Sequence, residues 1–181
     1  MENLTEILDN DSNAFVRYYN KGDIIQAEGD SKASTFYVKK GLLRSYIIDS
    51  KGKEHIFIFA PENWIIADVE ALEYQQPVQL FIDCLEDTEV VIFNKDRMFQ
   101  ADLLPEKMQE NAQLLYRRMG KLQRRVLMLM GSPAIDRYHY FLETYPELHD
   151  RVPQRMIATY LGITPQALST IRGKIARTKS T

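Results

Sequence analysis

Between Met108 and Leu129 an apolar residue returns at every seventh position, as Met108, Leu115, Leu122 and Leu129. Ala112, Met119 and Val126 follow the first three at a spacing of four. The a and d positions of a heptad repeat are thus filled without a break. This predicts one helix over residues 105–131, and a helix of about 26 residues is ~39 Å long. A helix of that length outruns the cover one small domain can give it. A period of 3.5 rather than 3.6 predicts a coiled-coil partner, most simply the same helix in a second subunit. The dimerisation residues would be Met108, Ala112, Leu115, Met119, Leu122, Val126 and Leu129, with Arg117, Arg118, Lys121, Arg124 and Arg125 on the other faces. A lone amphipathic helix lying on a neighbouring domain is the competing explanation of such a stripe. Gly120 costs about 1 kcal/mol inside a helix and marks a bend or a close approach of two backbones.

Upstream of this helix the pattern changes to short β-prone runs: Phe15–Tyr19, Asp23–Ala27, Thr35–Lys39, Leu42–Ile48, His55–Phe59, Val78–Leu85 and Glu89–Phe93. Glycines in polar turns separate them at Gly22, Gly29, Gly41 and Gly52. Regular short strands of this kind predict an antiparallel sandwich or barrel-like roll over residues 1–104. Ser50-Lys51-Gly52 has the look of a hairpin tip. Ile65–Leu72 is expected to form a helix that interrupts the roll.

Downstream, Ser132 and Pro133 are expected to cap and open a further helix carrying Ile135, Tyr138, Phe141, Leu142 and Tyr145, stopped by Pro146. The last unit, within 132–181, has the spacing of a helix-turn-helix. Ile157, Ala158 and Leu161 would line the inner face of its first helix. Gly162 falls where the turn needs positive φ, and Ile163 plugs the corner. Thr164 caps the second helix, Pro165 opens it, and Leu168 and Ile171 face inward. Outward stand Gln166, Ser169, Thr170 and Gly173, small or hydrogen-bonding groups suited to a major groove.

Charge agrees with that reading. Residues 151–181 carry six basic side chains and no acidic one, leaving 17 basic and 25 acidic residues in the first 150. An acidic body with a basic end is the footprint of nucleic-acid binding. The expected DNA contacts are Gln154, Arg155, Thr164, Pro165, Gln166, Ser169, Thr170, Arg172, Lys174 and Arg177. The α+β order that results is roll, long dimerisation helix, helix-turn-helix.

On these residues the chain resembles the Crp/Fnr family of bacterial transcription regulators, over essentially its whole length. The most specific stretches are Ile157–Arg172 and, in the roll, Gly22-Asp-Ile-Ile, Glu28-Gly29 and Phe36-Tyr-Val-Lys-Lys-Gly41, similar to the cyclic-nucleotide-binding fold. The resemblance implies a homodimer on a two-fold symmetric DNA site, in contact with RNA polymerase. Members that bind cyclic AMP carry Gly-Glu at a short helix and then Arg followed by Ser or Thr. Aligning Pro61–Trp64 and Leu85–Val90 puts Ile66-Ala67 and Val78-Gln79 in those places. The cyclic phosphate loses its arginine and the ribose its glutamate, so cyclic-nucleotide control is not expected. Any effector pocket, expected between roll and long helix, would be apolar, with Trp64, Ile66, Val78 and Leu80. The family's β-hairpin wing has no room after Lys174: either the unit works without one or the chain stops short of it.

No cofactor or metal is expected. One cysteine, Cys84, excludes a family iron–sulfur cluster and reads as a small core residue. His55, His139 and His149 read as surface or packing residues. There is no phosphate-cradling glycine loop and no credible Ser/His/Asp set, and Asp68 and Glu70 diverge on a helix. An enzyme is therefore not expected. No apolar run is long enough to span a membrane, and the N-terminus lacks signal-peptide order, which places the protein in the cytoplasm. The alternative function is a β-roll binding module whose helix-turn-helix serves a protein partner rather than DNA.

Overall fold

The computed structural model describes residues 15–93 and 105–179. The parts of the expected roll at 1–14 and 94–104 lie outside them. The chain divides into two compact units, with the boundary between Asn111 and Ala112.

Among its described residues the first unit contains eight strands: β1 (Phe15–Tyr19), β2 (Ile24–Gln26), β3 (Thr35–Lys40), β4 (Leu43–Ile48), β5 (Glu54–Ala60), β6 (Ile65–Ala67), β7 (Phe81–Cys84) and β8 (Thr88–Phe93). They form two four-stranded sheets, ordered β1-β8-β3-β6 and β2-β7-β4-β5. All pairings are antiparallel. Alternation of side chains buries Phe36, Val38, Leu43, Ala60, Ile66, Ile82, Cys84 and Val90 in one cluster. Gly41 is fixed by a close approach: at φ 96° its Cα faces the start of β8, where a Cβ would lie 2.6 Å from the Asp87 carbonyl oxygen. A buried arginine sits in the second sheet. Arg44 donates to both carboxylate oxygens of Asp83 at 2.8 Å, reaches Glu54, and lies over the Tyr46 ring.

Two expectations for the roll need correction. Ile65–Leu72 is not one helix: Ile65–Ala67 is β6, paired with Thr35–Tyr37, and the helix α1 covers Val69–Tyr74. The β-branched isoleucines fit a half-buried pleat, and Asp68 ends the strand by capping the helix. The strand expected from Val78 starts regular pairing only at Phe81. Val78 is tied instead to the 29–30 turn, by Gly29 N–H to its carbonyl at 2.8 Å and its own N–H to the Asp30 carbonyl at 2.9 Å.

The long helix, α2, runs from Pro105 to Gly131, 27 residues. The second unit takes in its part from Ala112 onward, together with α3 (Ala134–Thr144), α4 (Leu148–Arg151), α5 (Gln154–Leu161) and α6 (Pro165–Lys179). Ser132 does not cap α3. Its N–H still bonds to Met128 as the last turn of α2, and Pro133 holds the N-cap position with no side-chain bond. After Pro146 the chain makes one further short helix, α4, before the last unit. Of the predicted stripe Tyr138, Phe141 and Tyr145 are buried, joined by Tyr140, Leu148, Val152 and Tyr160, while Leu142 is half-buried and Ile135 exposed. Aromatic rings fill this core, with Phe141 5.6 Å from Tyr145 and 5.7 Å from Tyr160 between centroids.

Candidate nucleic-acid interface and the ligand segment of the roll

Helix α5 ends at Gly162, whose φ of 66° is the left-handed value a tight turn needs. The N–H groups of Gly162 and Ile163 close back on the Ala158 and Thr159 carbonyls. Two residues later Thr164 accepts the Ala167 N–H on its Oγ1 at 3.1 Å, and Pro165 opens α6. Ile157, Ala158, Leu161, Leu168 and Ile171 are buried, and Ile163 is half-buried at the corner. The sequence thus specified both helices, the turn and the cap.

The inward residues leave one face of α6 open. Gln166, Ser169 and Thr170 are exposed there, followed by Lys174 and Arg177, with Arg172 half-buried. Thr164 and Pro165 at the start of α6, and Gln154 and Arg155 at the start of α5, are exposed as well. All ten expected DNA-contact residues therefore belong to α5, α6 or the turn between them. Thr170 donates its hydroxyl proton to the Gln166 carbonyl at 3.0 Å. Its hydroxyl proton is thus taken up within α6. Arg177 Nε is bonded to the Gly173 carbonyl at 3.2 Å.

In the roll, the four residues expected around an effector are placed unequally. Ile66 and Val78 are buried, and Trp64 packs half-buried against the core cluster. Leu80 is half-buried. Between them lies a residue whose role the sequence reading missed. The Asp68 carboxylate, 3% exposed, accepts the Ala71 N–H at 3.1 Å, the Gln79 N–H at 2.8 Å and the Leu80 N–H at 3.1 Å. One carboxylate so fastens the start of α1 to the approach of β7. The legible half of this was the aspartate N-cap before Val69. The long-range half depends on the fold.

Cys84 is buried, and burial pushes its thiol up to about 12. Since the thiolate is the reactive form, the folded protein is expected to resist alkylation by iodoacetamide at neutral pH. The same protein in denaturant should react once per chain. Rapid stoichiometric labelling of the folded protein would show Cys84 to be accessible after all.

Residues 16–101 match the family model of the cyclic nucleotide-binding domain. Among solved structures, FixK2 from Bradyrhizobium japonicum aligns with a TM-score of 0.75 at 20% identity, covering 92% of this chain and 86% of its own. A CRP/FNR-family transcriptional regulator from Thermus thermophilus, TTHA1359, aligns at 0.66 with 18% identity, over 90% and 86%. The chain has the Crp/Fnr fold. The c-di-GMP-responsive global regulator CLP of Xanthomonas campestris shares that Crp/Fnr architecture at a TM-score of 0.70 and 14% identity, over 98% of this chain and 92% of its own. No curated protein matches the chain in sequence. The Crp/Fnr resemblance read from the sequence is borne out, in the roll by the family model and along the chain by the fold. These neighbours are transcription regulators, not enzymes. Among the described residues no helix is long and apolar enough to cross a membrane.

Proposed function

We propose that the chain is a DNA-binding transcription regulator that reads a two-fold symmetric site as a homodimer, without control by cyclic nucleotides. The observation that carries the reading is the α5–turn–α6 unit. Its apolar residues are spent inward, and a contiguous face of glutamine, serine and threonine is exposed beside basic residues. Side chains of that kind read base edges, and arginine and lysine bind phosphate. The all-basic charge of residues 151–181 supports DNA over a protein partner. The regulators that share the fold support the same reading. Contact with RNA polymerase and action in the cytoplasm belong to it as well. The test is selection of a duplex from a random library by the purified protein. Enrichment of an inverted repeat, with half-sites one helical turn apart, is the expected result. Absence of any enriched sequence would remove the proposal.

Dimerisation is supported by the long helix. Met108, Leu115, Met119, Leu122, Val126 and Leu129 are exposed large apolar residues in the single chain, and Ala112 is exposed with them. Independence from cyclic nucleotides is supported by the roll. Val78 supplies no anion partner and Ala67 no ribose acceptor; Val78 is buried and Ala67 half-buried at the end of β6. The Gln79 and Leu80 amides are already held by Asp68. Cyclic AMP and cyclic GMP are expected to give no heat in calorimetry and no change in the fluorescence of Trp64, the chain's one tryptophan. Micromolar binding of either would overturn this part.

A further inference from the structure

The last four carbonyls of a helix have no partner within it, and at the end of α5 all four can be traced. Those of Ala158 and Thr159 take the Gly162 and Ile163 N–H groups. Those of Tyr160 and Leu161 take two arginines from elsewhere in the chain: Arg125 of α2 at 3.1 Å and Arg137 of α3 at 3.1 Å. Helix α5 carries no basic residue in its own last turn. Cations at a carbonyl end are favoured by the helix dipole, and here they come from the elements that must hold this helix in place. Arg137 also donates from Nε to the Ser132 carbonyl at 3.0 Å, so one guanidinium joins the α2–α3 link to the turn. The Arg125 guanidinium lies 4.1 Å from the centre of the Tyr160 ring. A Cβ on Gly162 would come within 3.4 Å of Leu129, the last apolar residue of the heptad stripe.

We propose that Arg125 and Arg137 are positioning residues for DNA recognition: they fasten the carbonyl end of α5 to the dimerisation helix and so fix the direction in which α6 points. Neither needs to touch DNA. The inference rests on the dimeric DNA-binding reading above. Because α2 carries both the apolar stripe and Arg125, the clamp ties the spacing of two recognition helices to the dimer seam.

The test is a distance measured within one chain. Nitroxides are placed on Gln123→Cys in α2 and Ala176→Cys in α6, both exposed, while buried Cys84 stays unlabelled. Labelled protein is diluted into unlabelled protein so that only intramolecular pairs report. The unclamped variants Arg125→Met and Arg137→Met are expected to replace one narrow electron–electron distance with a broad or doubled distribution. Arg125→Lys, which keeps the charge but loses the fork, should fall between, and it serves if Arg125→Met fails to fold. On DNA, the methionine variants should lose about tenfold in affinity for the two-fold duplex selected by the wild type, with affinity for a single half-site unchanged. An unaltered distance distribution overturns the clamp whether or not DNA is bound. Equal loss on half-site and full site overturns it too. A wild type that binds no DNA sinks the functional reading, while the distance measurement still decides the clamp.

Discussion

Replacing Leu115 and Leu122 together with lysine is expected to give a folded monomer. Both side chains lie on the exposed stripe of α2, at 39% and 41% exposure in the single chain. A lysine there keeps its charge in water and its helix propensity, so the single chain loses little. The dimer loses much more. Burying a leucine at a seam stabilises it by about 1.5–3 kcal/mol, and the change removes two from each of two chains. Each 1.4 kcal/mol is about tenfold in dissociation constant, so the association should weaken by about four orders of magnitude or more. Facing lysines would add repulsion. Sedimentation at micromolar concentration should therefore show one species of monomer mass, with the helical circular dichroism of the wild type largely retained. A dimer that survives both changes would place the interface elsewhere. A chain that unfolds would mean that the stripe packs within the subunit, as the lone amphipathic helix reading holds.

The elements that could be read in advance are those whose cause is local. A seven-residue repeat, a threonine at an N-cap and a glycine with positive φ act over one or two turns of chain. The long helix, Gly162 and Thr164 all appeared where their neighbours required them. Ile65–Leu72 misled for the opposite reason. Its apolar spacing suits a helix, but β3 offers an edge that Ile65–Ala67 completes, and nothing in the segment itself announces that edge. Ser132 misled because the preceding helix claims it first.

Polar side chains that join distant parts of the chain were the least visible. Asp68 meets amides 11 and 12 residues away, Arg44 meets Asp83 across 39, and Arg125 meets Tyr160 across 35. In the sequence, Arg125 was one more charge on an outer helix face. Only packing of α5 against α2 turns it into a partner for a carbonyl. The exposed face of α6 was legible because a helix-turn-helix declares its outer face by what its apolar residues leave outside. The clamp was not, since its residues act through a helix end remote in sequence.

Replacing Gln166 with alanine should weaken binding to the selected site and blur its sequence, whereas replacing Lys174 should weaken every sequence alike. Gln166 is exposed in the first turn of α6, the part of a recognition helix that reaches base edges. A glutamine can pair with adenine through two hydrogen bonds, worth about 1–3 kcal/mol of discrimination. The Gln166 variant should thus lose roughly 5- to 150-fold on its site, from each recognition helix that makes the pair. Its affinity for random duplex should stay near that of the wild type. Lys174, two turns further on and exposed, follows the reading face and carries only charge to offer. Its loss should make the log–log salt dependence shallower by about 0.9 for each phosphate contact removed, equally on selected and random DNA. The two variants separate because base contacts specify and phosphate contacts position. Thr170, with its proton already given to the Gln166 carbonyl, should tolerate valine better than serine if its methyl is what meets the groove. Equal loss by the Gln166 and Lys174 variants on both kinds of DNA would place the reading face elsewhere on α6. If neither variant changed binding at all, α5 and α6 would not be the DNA-binding element.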